Sequence, residues 1–387
     1  MSEPEQLPRA RAELERGMEQ GLHVGANLQV SLAGEPVPPV VLGVAAPGVP
    51  MAIDTLMPWF SCTKLVTAVA VMQQWERGEL ELDDPVHSHI REFGGAGRDG
   101  ITIRHLLTHT AGLRPADGPP ASMRTESWDE AVARVVATEP EQGWVPGRRA
   151  GYHLRGTFFL LGEIVRLLDG RPFDRYVRDE IFLPLGMTDS WLAMAPEQAR
   201  AYGSRLGVMY DTSGRVRADG PRPFSAFRAE NGAYNAYVRC VPGASGVGPM
   251  GDLVRIAELL LANGRLLDQQ LLLPQTVAAM TARHRVDLQD ETFGARIDWG
   301  LGVMVNSWHY QQRPAPYGYG DHASARTFGH GGVQSSLCFA DPEAGLAVAL
   351  VCNGMPGEAA NHRRTQPVVT ALYEDLGLTS PPTATDG

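Results

Sequence analysis

The 387-residue chain is 43% hydrophobic and 20% charged, the composition of a globular protein with enough length for a large core or two. Its formal net charge of −10 argues against nucleic acid and anionic membrane as partners. No stretch reaches the roughly 18 uninterrupted apolar residues that a membrane helix needs.

The first residues, "MSEPEQLPRARAELERGMEQG", are charged and patterned like a surface helix. They show no basic segment followed by an apolar one, so they are not read as a secretory signal, and a cytoplasmic location is expected. Residues 26–32 ("ANLQVSL") and 39–45 ("PVVLGVA") read as two strands with a Gly/Pro turn between them. From Ser61 to Arg77 the chain is apolar nearly all round, and Gly78 stands where a helix stops. A helix apolar on every face is a buried one.

Helical periodicity recurs at 129–137, 157–169 and 173–183, and 200–235 reads as loop. "GDLVRIAELLLANG" is an amphipathic helix ending at Gly264, and "QTVAAMTAR" is a shorter one. Strands are expected at 299–306, 333–340 and 345–352, with "DPEAG" turning the chain between the last two. A helix over about 365–376 closes the pattern. Strands at both ends around a helical middle predict an α+β fold. Residues 1–85 and 236–387 are expected to form a discontinuous sheet domain, and 86–235 a mainly helical one.

One residue stands out chemically. Of 34 Lys plus Arg, only Lys64 is lysine, and it lies three residues after Ser61 in "SCTK". Arginine stays protonated in proteins, whereas a desolvated lysine can give up its proton and take it back. At i and i+3, Ser61 and Lys64 share a face of the first helical turn. This is the spacing of a serine nucleophile motif. The Ser61 N–H and the helix dipole would face developing negative charge. Cys62, the rival nucleophile, has no local signature in its favour. With Cys240, Cys338 and Cys352 it shows neither paired nor metal-ligand spacing. Cys338 and Cys352 lie in apolar runs and read as buried thiols.

Further segments follow in order: "ITIRHLLTHTAGL" (101–113), "IFLPLGMTDSW" (181–191), "WGLGVMV" (299–305) and "TFGHGGVQSSLCFADPEAGLAVALVCNG" (327–354). Together they resemble the serine β-lactamase-like superfamily: class C β-lactamases, DD-peptidases and related esterases. The resemblance covers roughly residues 20–376. It implies a β-lactamase/transpeptidase-like fold, an antiparallel sheet flanked by helices plus an all-helical domain, with the site between them.

In that family a Y-x-N motif faces the serine, and its tyrosine shuttles protons with the lysine. The match here is Tyr152, with Leu154 in place of the asparagine. The K-T-G strand motif is replaced by His330-Gly331-Gly332, as in the esterase-like branch. The implied roles are Ser61, Lys64 and Tyr152 as catalytic residues, and the N–H groups of Ser61 and Val333 as the oxyanion hole. His330, Gly331 and Gly332 would contact substrate. No metal or organic cofactor is needed. His105 and His109, at i and i+4, could mimic a metal pair, but the resemblance explains their segment as packing. Trp59, Trp144, Tyr234 and Tyr237 are read as core or as acyl-pocket lining.

The expected activity is an acyl-enzyme hydrolase acting on a small-molecule ester. The alternatives are a transacylase passing the acyl group to an amine or alcohol, a β-lactamase or DD-peptidase, and an inactive penicillin-binding sensor.

Overall fold

Among the described residues of the computed structural model (6–117, 126–214, 221–223, 238–310 and 317–379), seven strands form one antiparallel sheet. They are β1 (Gly25–Leu32), β2 (Glu35–Ala46), β3 (Val49–Pro50), β4 (Met304–Val305), β5 (Phe328–Gly331), β6 (Ser336–Asp341) and β7 (Leu346–Cys352). Their order is β4-β5-β6-β7-β1-β2-β3. The join between β7 and β1 carries the two chain ends into one sheet, with Leu28 opposite Leu350.

All seven residues of β7 are buried, as a central strand covered on both faces requires. Successive side chains point to opposite faces, so the run splits between two cores. Ala347, Ala349 and Val351 join one apolar cluster. Leu346, Val348, Leu350 and Cys352 join the other. The second cluster is closed by Leu14 of helix α1 (Pro8–Glu19) and by Val368 and Leu372 of the C-terminal helix described below.

The first cluster contains helix α2 (Thr63–Glu76), in which every residue from Thr63 to Gln74 is buried. The helix expected from Ser61 therefore begins as a 3₁₀ turn, Phe60–Cys62, and becomes α-helical at Thr63. Gly78, at φ +73°, ends it in the left-handed conformation that glycine adopts without a Cβ clash.

Short α3 (Ile103–Leu107) and capped α4 (Trp128–Val136) follow, then α5 (Gly156–Asp169), which packs on α2. Helix α6 (Met250–Leu261) lies on β7, β6 and β1, and α7 (Glu358–Asp375) packs on α1. The closing helix thus starts earlier than its periodicity suggests.

The segment 299–306 is mostly not a strand. Gly300 N–H bonds the Val303 carbonyl, Gly302 N–H bonds that of Leu107, and Gly302 sits at φ +77°. This turn leaves only Met304–Val305 to pair with β5. No helix among the described residues is long and apolar enough to cross a membrane.

Candidate active site

The turn that carries Ser61 is fixed from three sides. Trp59 N–H bonds the Gly246 carbonyl at 2.8 Å, and its indole N–H bonds that of Gly248 at 3.2 Å. Gly246 N–H donates to the Thr63 hydroxyl at 2.8 Å. Ser336 Oγ donates to the Trp59 carbonyl at 2.7 Å. Phe60 takes φ +47°, a region non-glycine residues rarely occupy and which persists only where the surroundings enforce it. Ser61, the next residue, remains partly exposed.

Lys64 is 0% exposed. Its Nζ lies 3.3 Å from Ser61 Oγ, 2.8 Å from the Leu154 carbonyl oxygen and 2.9 Å from that of Gly243. It also stands over the rings of Tyr152 and Phe158, at 5.1 and 4.9 Å from their centroids. The sequence offered no sign of the two carbonyl contacts, because they depend on backbone placement and not on side-chain identity. The position that an asparagine would hold is Leu154. Its main chain takes the lysine, while its side chain is 48% exposed.

Tyr152 is buried and held through its peptide units. Its N–H donates to Asp290 Oδ1 at 3.1 Å, and its carbonyl accepts from the Thr292 hydroxyl at 3.0 Å. Its ring packs among those of His109, Phe293, Trp299 and His330 at centroid distances of 4.6, 4.8, 5.7 and 5.8 Å. Asp290 also accepts from Thr292 N–H and Phe293 N–H and lies 3.1 Å from the buried Arg285 guanidinium. Neither Asp290 nor Arg285 carries a motif that would have flagged it.

The His330-Gly331-Gly332 strand packs against the serine turn. A Cβ on Gly332 would stand 2.5 Å from the Trp59 carbonyl oxygen, and one on Gly331 would collide with the Tyr317 ring. Both positions therefore need glycine for packing against protein. His330 is 1% exposed, and burial, reinforced by the Lys64 charge, lowers its pKa to about 3. Its imidazole is neutral, with Nδ1 2.8 Å from the Gly331 carbonyl oxygen. Val333 lies in the turn after β5, and its N–H makes no described hydrogen bond.

Cys62 is fully buried. Its Sγ lies 3.1 Å from the His330 carbonyl oxygen and 3.6 Å from Ser336 Oγ, and burial pushes the thiol up to about 12. A thiol so protonated is a poor nucleophile.

The other histidines of the "RHLLTH" segment part company. His105 closes a capping box with Thr102, accepting its N–H at 3.1 Å. His109 is turned inward behind Tyr152. No group of three or more candidate metal ligands occurs among the described residues. Trp59 and Trp144 are buried frame residues, the latter donating its indole N–H to the Thr110 carbonyl. Tyr234 and Tyr237 lie outside the described residues.

Comparison with known proteins bears on this arrangement. A family model described as Beta-lactamase matches residues 10–371. Esterase EstB of Burkholderia gladioli is 30% identical over 340 residues, 80% of this chain and 81% of its own. Monacolin J acid methylbutanoyltransferase of Aspergillus terreus is 28% identical over 269 residues, 60% of this chain and 58% of its own. A penicillin-binding protein homologue from Caulobacter crescentus superimposes with a TM-score of 0.77 at 30% identity, covering 96% of this chain and 98% of that one.

Proposed function

For a chain that belongs to the beta-lactamase family, and is by its relatives a serine hydrolase or acyltransferase, we propose carboxylesterase-type hydrolysis of a small-molecule ester through Ser61. The observation that carries it is the buried amine of Lys64 at 3.3 Å from Ser61 Oγ. Two carbonyls occupy two of its directions. On losing its proton, the amine would keep its two remaining hydrogens for these carbonyls and turn its lone pair to the serine hydroxyl.

Ser61 Oγ attacks the ester carbonyl while its proton passes to the Lys64–Tyr152 relay. The N–H groups of Ser61 and Val333 receive the oxyanion. Collapse expels the alcohol, which takes the proton back. A water molecule then repeats the sequence on the acyl-enzyme and releases the acid. Ser61, Lys64 and the glycine strand come from the proposed sheet unit (1–85 and 236–387), and Tyr152 from the proposed helical unit (86–235). His330 faces Tyr152, so its proposed substrate contact is confined to the inner wall of the site.

The reading favours esters over β-lactams. The family's strand lysine, which grips a substrate carboxylate, is here the neutral His330. The Burkholderia relative is named an esterase. A second reading, transfer to an amine or alcohol, is supported by the relative named a methylbutanoyltransferase. Product analysis on an ester panel, with and without amines and alcohols, separates the two.

A further inference from the structure

We infer that His109 is a positioning residue for the reaction: it clamps the peptide units on either side of Tyr152 and so fixes that side chain against Lys64. This rests on the proposed role of Tyr152 in the proton relay.

The clamp uses two different atoms of one residue. The His109 carbonyl accepts the Gly151 N–H at 3.0 Å. Its ring Nδ1 accepts the His153 N–H at 3.1 Å. Residues 151 and 153 are thus both anchored on His109, with Tyr152 between them. The ring itself lies 4.6 Å from that of Tyr152 and 4.5 Å from that of Trp299, centroid to centroid. It also stacks on Phe158 at 5.7 Å between centroids, and the Phe158 ring in turn faces Lys64 Nζ.

His109 sits at φ +57°. An L-residue pays a steric penalty there unless the surroundings over-determine it. That backbone setting lets one residue present both its carbonyl and its ring to the 151–153 segment. Because Nδ1 accepts a backbone N–H, the ring proton belongs on Nε2 and the imidazole is neutral. His109 is 0% exposed, and its burial holds its pKa well below the usual histidine range, reinforced by the nearby charges of Lys64 and Arg285. Its acceptor nitrogen is already committed to a buried N–H. His109 therefore acts through Tyr152 and takes no substrate proton.

Side-chain choice makes this testable. In His109→Asn the amide oxygen takes the place of Nδ1, and asparagine tolerates left-handed φ. In His109→Leu the bulk remains but the acceptor is lost. Reactive serines are counted with a fluorophosphonate, and kcat, KM and the pH dependence of kcat/KM are measured per titrated site, with Tyr152→Phe alongside. A misplacement near 1 Å can cost about 10²-fold. We expect His109→Leu to lose on the order of 10–10²-fold in kcat per site, with little change in KM and a displaced pH limb, and His109→Asn to recover most of it.

Amide exchange on the wild-type protein adds an arm that needs no variant to fold: the Gly151 and His153 amides should be strongly protected. Exchange at exposed-peptide rates would overturn the clamp. So would a His109→Leu protein with wild-type kcat and pH limb per titrated site and only a lowered melting temperature. If Tyr152→Phe keeps the wild-type rate, the relay reading falls. If Tyr152→Phe is impaired while His109→Leu is not, only the clamp falls.

Discussion

Lys64 Nζ lies 3.3 Å from Ser61 Oγ and closer still to two backbone carbonyls, those of Leu154 and Gly243. The socket is closed to solvent, and a Cβ on Gly243 would stand only 3.1 Å from the amine. Such a site suits a slim amine that exchanges a proton, and it leaves little room for a planar guanidinium. Lys64→Arg and Lys64→Met should both lose about 10²–10⁴-fold in kcat/KM, the range of a general base. Near-wild-type turnover by Lys64→Arg would instead make the lysine a fixed cation.

The proposed preference for esters rests on His330. Its imidazole is neutral across the working range, so no strand cation is available to hold a carboxylate. Short-chain p-nitrophenyl esters should be turned over with higher kcat/KM than nitrocefin or benzylpenicillin. Equal or higher values for the β-lactams would remove the esterase assignment.

The fate of the acyl group is a matter of which nucleophile is held in place. Water is abundant, so transfer wins only when a bound acceptor is oriented, which can supply an effective molarity of about 10⁵ M or more. With water alone, we expect acid as the product. An amine or alcohol that fits should raise donor consumption and yield an amide or a new ester. If a broad acceptor panel changes neither rate nor product, the transacylase reading is lost.

Stability should fall in mild acid. Burial lowers His23, His153 and His330 to about 3 each, with Arg364 reinforcing it at His23, Arg114 at His153 and Lys64 at His330. The unfolded chain binds protons on these histidines below about pH 6.5, while the folded protein does not. Their contribution is therefore complete above pH 6.5 and is lost as pH falls from there toward 3. At pH 5 each should account for roughly 1–2 kcal/mol of lost stability relative to pH 7.5. Guanidinium unfolding at the two pH values, compared between the wild-type protein and His23→Gln, isolates one such contribution, and a variant with the same loss of stability at pH 5 as the wild type would contradict a buried neutral histidine there.

The sequence made some of this legible and hid the rest for identifiable reasons. The run 345–352 announced a strand, and its unbroken apolarity matches the burial of all seven residues from Leu346 to Cys352 in the structure. The stretch from Ser61 announced a buried helix because it is apolar nearly all round, and the lone lysine drew attention to its neighbour. The turn at 300–303 is hidden in the sequence because its apolar residues look like strand, while Gly302 needs tertiary contacts to show its left-handed setting. The supports of Lys64 and Tyr152 were invisible for a different reason. Gly243 and Leu154 act through carbonyl groups, and Asp290 reaches Tyr152 from 138 residues away. His109 was in view within its motif, but only its backbone angle and its two bonds to the 151–153 segment distinguish it from ordinary packing.

The central claim is that Ser61 carries the acyl group. Intact-protein mass spectrometry after brief exposure to a p-nitrophenyl ester or a fluorophosphonate tests it directly. We expect one added acyl or phosphonyl group on the wild-type protein and on Cys62→Ala, and none on Ser61→Ala. Labelling that persists in Ser61→Ala and vanishes in Cys62→Ala would contradict the account.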